Sequence, residues 1–188
     1  MIVDMKKILS LLLIMLLSGC ASNFNRRIVT ETTVIKYYCT TECMMDYCER
    51  VCLIYPLANL EEKKIKMRAV FKSYEKICNV KFEEVNYSIL ADIVIGQHEF
   101  TKKSDSIAHA SPGFIYIFPF FKNHFIHMGS NHVYDFSIVF QHELGHVLGI
   151  NQSANYNSPM YPNTAYTRRE FDSWDIYILV KIYGPPNL

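Results

Sequence analysis

His142-Glu143-Leu144-Gly145-His146-Val147-Leu148-Gly149-Ile150-Asn151-Gln152 is the stretch that decides the fold of this chain. It closes a helix predicted from about Tyr134 to Gly149. Residues four apart on a helix share one face, so His142 and His146 can offer imidazole nitrogens to a single ion, zinc being the metal such a pair suits. Glu143 projects beside them, where it can hold a metal-bound water and take its proton. Zinc lowers the pKa of that water towards neutrality, so a carboxylate of ordinary basicity can finish the deprotonation. Gly149 stands where the helix stops and the chain turns sharply, through a conformation that glycine tolerates.

Two histidines on an amphipathic helix arise by chance, so the stretch needs support from its surroundings. Downstream lies Ser158-Pro159-Met160-Tyr161-Pro162, and then a last helix from about Arg168 to Tyr183, stopped by Gly184-Pro185-Pro186. Upstream, Asn59 precedes a helix from Leu60 to about Cys78, with Glu61 and Glu62 in its first turn. Its apolar positions Ile65, Met67, Ala69, Val70, Tyr74 and Ile77 recur near helical spacing. Val80 to Val85 alternates as a strand does. Ala91 to Gly96, Ile107 to Ala110 and Gly113 to Phe118 are three further strands. Helix, several strands, active-site helix, loop and final helix make an α+β layout.

These motifs together resemble the metzincins, and within them the matrixins, the matrix metalloproteinase-like peptidases. HELGHVLG followed by SPMYP is similar to their zinc helix and Met-turn. Tyr161-Pro162 directly after the methionine fits matrixins better than astacins. Ala91-Asp92-Ile93 resembles the matrixin ADI strand, Ile107-Ala108-His109-Ala110 the LAHA strand beside the substrate cleft, and Phe171 to Gly184 the final helix. The resemblance covers roughly residues 59–186. It implies a metzincin-like catalytic domain: a mixed twisted sheet, zinc-binding helix, Met-turn and C-terminal helix. It further implies one catalytic Zn2+ on His142 and His146, with Glu143 as general acid and base. Met160 would be the floor under the metal, and Tyr161 and Pro162 a wall of the cleft. The strand through Ala108, His109 and Ala110 would pair with an extended peptide substrate.

The pattern breaks at Gln152, which holds the place of the third ligand, usually histidine. An amide oxygen is a weak donor for zinc beside imidazole or carboxylate. Three readings stay open. Gln152 ligates through its carbonyl oxygen; or His124, His127 or His132 stands in; or the fold is kept and peptidase activity is lost, leaving a cleft that binds extended peptides without cutting them. The structural metal sites of animal matrixins are not matched either. His109 sits on a family motif and His98 is near, but the glycine-rich calcium loop is not recognisable, and no cysteine-switch segment precedes residue 59.

The N-terminus and the composition set the context. Lys6 and Lys7 precede a short apolar run from Ile8 to Leu17, and Leu17-Ser18-Gly19-Cys20 resembles a lipobox. That implies a signal peptide over 1–19, lipidation of Cys20, a polar tether over 20–32, and a lipoprotein of the cell envelope, at the outer membrane or cell surface. Residues 33–58 form a Cys-rich segment with Cys39, Cys43, Cys48 and Cys52. In an oxidising compartment it reads as a disulfide-stapled turn, Cys39–Cys52 with Cys43–Cys48 being the nested option among three. Cys78 is left as a small buried hydrophobe. The domain proper is expected over 59–188. With 50% apolar residues, 14% aromatic residues and a net charge of +1, the chain is a folded protein with no basic stripe for nucleic acid. A monomer is expected, its partners being a peptide or protein substrate and, through the lipid, a membrane.

Overall fold

The computed structural model describes residues 31–41, 44–46, 51–54, 56–97, 108–117, 135–162 and 170–187, with the backbone alone for 44–46 and 51–54. Strands β1 (Thr33–Cys39), β2 (Met44–Asp46) and β3 (Val51–Ile54) precede helix α1 (Leu60–Glu75). Then come β4 (Val80–Glu84), a 3-10 turn at Ser88–Leu90, β5 (Ile93–Gln97), β6 (Ala108–Ser111), β7 (Phe114–Ile117), α2 (Phe136–Val147) and α3 (Ser173–Tyr183).

Five strands form one sheet in the order β4-β1-β5-β7-β6, and β2 and β3 pair as a separate antiparallel hairpin. β1, β4, β5 and β7 run parallel, and β6 is antiparallel to β7 at the edge. A mixed sheet with an antiparallel edge strand, covered by helices, is the α+β arrangement that the sequence implied.

The sheet takes in residues that the sequence assigned to a Cys-rich segment ahead of the domain. β1 lies between β4 and β5, with Thr33 opposite Val80 and Tyr37 opposite Ile93. Ile35, Tyr37 and Cys39 face the core at alternate positions, as a strand requires. That placement also corrects the Cys39–Cys52 pairing. Cys39 is a free thiol, buried at the end of β1, because the pleat turns its side chain inward. Burial pushes it up to about 12, so at neutral pH it is a thiol and not a nucleophile. Cys78 is likewise free and buried. Cys43 and Cys48 lie outside the described residues, as do the stretch expected to be a signal peptide, Cys20 and the expected tether as far as residue 30. No helix among the described residues is long and apolar enough to cross a membrane.

α1 buries Lys63, Met67, Val70, Phe71 and Tyr74, the i, i+4, i+7, i+8, i+11 stripe of a core-facing helix. Ile65 and Ala69, expected on that face, are turned to solvent. Asn59 does occupy the N-cap, in a left-handed conformation and with no side-chain cap bond. Phe71 ties the layers together, its ring 4.6 Å from Tyr37 of β1, 4.4 Å from Phe82 of β4 and 5.5 Å from Phe140 of α2. Aromatic pairs at such separations add to what their buried area alone contributes. The Tyr74 hydroxyl donates to the Gln141 carbonyl at 2.6 Å and so pins α1 to α2. α2 therefore lies against α1, β6 and β7, with its position fixed on several sides.

Candidate metal centre

α2 begins at Asp135, whose carboxylate accepts from the Ser137 N–H at 2.6 Å. It ends in a Schellman motif, with the Gly149 N–H donating to the His146 carbonyl at 3.0 Å and the Ile150 N–H to the Gly145 carbonyl at 2.9 Å. Gly149 takes φ +94°, a conformation that a side chain resists, so the sharp stop depends on glycine. The turn has a chemical consequence. It brings the Ile150 carbonyl back over the last turn, where it accepts from His146 Nδ1 at 2.9 Å.

His142 is held in the same way from another direction, by the Pro159 carbonyl at 2.8 Å from its Nδ1. A carbonyl can only accept, so each Nδ1 carries the proton, and each neutral imidazole presents Nε2 as a lone pair. The two Nε2 atoms face each other at 3.1 Å. Two acceptors at that distance repel unless a proton or a metal ion lies between them. Nitrogens bound to one tetrahedral zinc at about 2.0–2.1 Å would be roughly 3.3 Å apart, so the pair fits zinc. Backbone acceptors behind metal-facing imidazoles are the usual means of fixing tautomer and ring orientation. Among the described residues, no third His, Cys, Asp or Glu joins the two histidines.

Glu143 is buried beside them, and the Ala110 N–H of β6 donates to its carboxylate. Burial pushes its pKa up to about 7, against the opposing pull of that N–H. Gln152 lies on the exposed stretch after Ile150, just before Ser153, whose N–H donates to the Met160 carbonyl at 2.8 Å. His124, His127, His132 and His98 fall outside the described residues. Of the other sequence candidates, Ala108 is buried, while His109 is exposed on β6 with its ring stacked on Tyr116 of β7 at 6.3 Å. Tyr161 is half-buried, with its ring 5.5 Å from Tyr156, and Pro162 is exposed.

Met160 is fully buried beneath α2. A Cβ on Gly145 would collide with the Met160 thioether and come within 3.0 Å of the Tyr74 hydroxyl. The glycine between the histidines is therefore a packing requirement. Gly145→Ala is expected to cost roughly 1–3 kcal/mol by overpacking, read as a lower denaturation midpoint at unchanged m-value.

The segment bearing Met160 is fastened from below by α3. The Met160 N–H donates to Ser158 Oγ at 2.9 Å, and Ser158 Oγ donates to Asp175 Oδ2 at 2.7 Å. Asp175 also forms a reciprocal cap with Asp172, accepting from the Asp172 N–H at 3.1 Å while its own N–H donates to Asp172 at 2.9 Å. Asp175→Ala removes half of the cap and the acceptor of Ser158 together. A loss of roughly 1–3 kcal/mol is expected, measured by the same denaturation experiment. Tyr74, Pro159, Ile150, Ser158 and Asp175 all shape this centre, and sequence reasoning gave none of them a role. Only the Asp172–Asp175 spacing carried a signal, that of a capping box.

With the geometry in hand, comparison with known proteins is informative. The family model described as Matrixin matches residues 52–184. Metalloendoproteinase 1-MMP of Arabidopsis thaliana is 27% identical over 149 residues, which cover 66% of this chain and 39% of that protein. The chain thus spans well under half the length of this curated relative.

Proposed function

Since this chain belongs to the matrixin family, whose members are in general zinc-dependent metallopeptidases, we propose that it is a lipid-anchored zinc endopeptidase that hydrolyses proteins outside the cytoplasm. The observation that carries this reading is the pair of Nε2 atoms at 3.1 Å, each imidazole locked by a backbone carbonyl, with the buried Glu143 next to them. His142 and His146 would hold the metal, and Gln152 is the candidate for the third position. Zinc, when bound, supplies the Lewis acidity that polarises a peptide carbonyl and acidifies a water.

The rest falls to the chain itself. Among the described residues β6 is the antiparallel edge of the sheet, so an extended peptide can lie alongside it and pair main chain to main chain. Ala110 on that strand reaches Glu143 through its N–H, so the carboxylate would stand next to the scissile bond of a peptide so bound. Glu143 takes the proton from the attacking water and hands it to the leaving amine. Met160 and the chain about it keep α2 and its histidines from shifting.

Gln152 favours one rival, a cleft that holds an extended peptide without cutting it. One paired experiment separates the two. The mature chain is assayed for zinc by elemental analysis and for cleavage of a broad quenched-peptide library, with and without a chelator. Near-stoichiometric zinc and chelator-sensitive cleavage support the peptidase. Peptide binding without cleavage, in zinc-loaded protein, establishes the rival.

A further inference from the structure

One face of α3 is unusual for a solvated helix. Trp174, Tyr177 and Lys181 follow at i, i+3 and i+7, which places them in one strip. Trp174 is 61% exposed and Tyr177 52% exposed. Their rings stack at 5.5 Å between centroids, and Lys181 Nζ stands 5.8 Å from the centre of the Tyr177 ring. Asp175 and Leu179 are buried on the other side of the helix. Tryptophan and tyrosine combine an apolar body with a polar tip, and they settle where hydrocarbon meets headgroups. A lysine in the same strip adds attraction to anionic headgroups.

A second observation concerns where the chain enters the fold. The Asn187 amide donates to the Thr32 hydroxyl at 2.8 Å. The Asn79 N–H donates to the Gly184 carbonyl, and the Thr33 N–H to the Asn79 carbonyl, both at 3.0 Å. The N-terminal segment therefore joins the fold against the C-terminal end of α3. From Cys20 to Thr32 the fully extended chain spans at most roughly 40 Å. The 11 residues of α3 extend about 16 Å. A lipid on Cys20 would hold the whole strip within reach of the membrane.

We propose that the Trp174–Tyr177–Lys181 face is a membrane-docking surface, which lays α3 along an anionic phospholipid interface. The inference rests on the lipid-anchor reading given above. It has a consequence for the metal centre, because Asp175 of the same helix fastens Ser158 beneath it. Docking would hold the cleft in a fixed orientation to the bilayer instead of leaving it free on a tether.

Trp174 is the only tryptophan of the chain and so reports on this face directly. The full chain, processed in a lipoprotein-exporting bacterium, is reconstituted into anionic phosphatidylglycerol vesicles with ordinary or brominated acyl chains. Docking predicts a blue-shifted Trp174 emission that bromine quenches. Tyr177→Ser with Lys181→Glu should weaken quenching, lowering the docked-to-undocked ratio roughly tenfold, while the chain still floats with the vesicles. Flotation with emission indifferent to bromine overturns the docking and leaves the anchor intact. Failure to float, with no acyl mass on the protein, overturns the anchor; the docking then survives only if added vesicles still shift Trp174. Emission that follows protein concentration instead of bromine places a second copy on the face and overturns the membrane assignment.

Discussion

Glu143→Ala is expected to lower peptide hydrolysis by roughly 10²–10⁴-fold, the span usually contributed by a positioned general acid or base. The zinc content should not change. Glu143 stands next to His142 in sequence but takes no part in holding either imidazole, since those Nδ1 atoms are bound by the carbonyls of Pro159 and Ile150. α2 carries no other carboxylate that could replace it. The fold should tolerate the change, because alanine relieves the burial of a charged group and leaves the core unaltered. Most of the loss should appear in kcat, with KM nearly constant, if an extended peptide is held along β6 as proposed. Elemental analysis and steady-state kinetics on the same preparation decide the matter. Full activity in the variant would move the proton transfer to another residue. Loss of zinc along with activity would make Glu143 a structural support of the metal centre.

The elements nearest this chemistry were the ones legible in the sequence. The helix bearing His142 and His146 and the strands from β4 to β7 carry strong periodic patterns, and the structure has them within a few residues of the expected bounds; the final helix begins only at Ser173, capped by Asp172, five residues after the expected Arg168. β1 was not seen as a strand. TVIKYYC alternates, but Lys36 interrupts the continuous apolar run that marks a strand buried on both faces, and the cysteines after it suggested a stapled loop. Its partners are also remote in sequence, Val80 and Ile93 for Thr33 and Tyr37, so no local signal announces the pairing. The orientation of the two histidines was illegible for a different reason. Both acceptors are backbone carbonyls, those of Pro159 and Ile150, and a carbonyl belongs to every residue type. Tyr74 was seen only as one apolar position of α1. That its hydroxyl reaches α2, against Gly145, depends on how the two helices pack.

Gln152→His should tighten zinc binding at least about tenfold. Loss of a mere outer partner of a ligand typically costs 10–100-fold, and a direct imidazole matters more than that. The reasoning starts from the exposed stretch between two fixed points. On one side the Ile150 carbonyl is bound to His146, and on the other the Ser153 N–H is bound to the Met160 carbonyl. Gln152 lies between them with its side chain exposed, so exchanging it should change stability by less than about 0.5 kcal/mol. Whatever changes in metal affinity is then a matter of ligand chemistry. An amide oxygen gives zinc a weak neutral donor, whereas imidazole is a ligand it favours. Zinc affinity is measured by competition with a chromophoric chelator, for the native chain and the variant side by side. A tightening places position 152 in the coordination sphere and makes the native glutamine a deliberate or tolerated weak ligand. An unchanged affinity, in a variant that folds normally, takes position 152 out of the sphere. The third ligand must then come from a residue such as His124, His127 or His132, and alanine at the right one of these would release the metal.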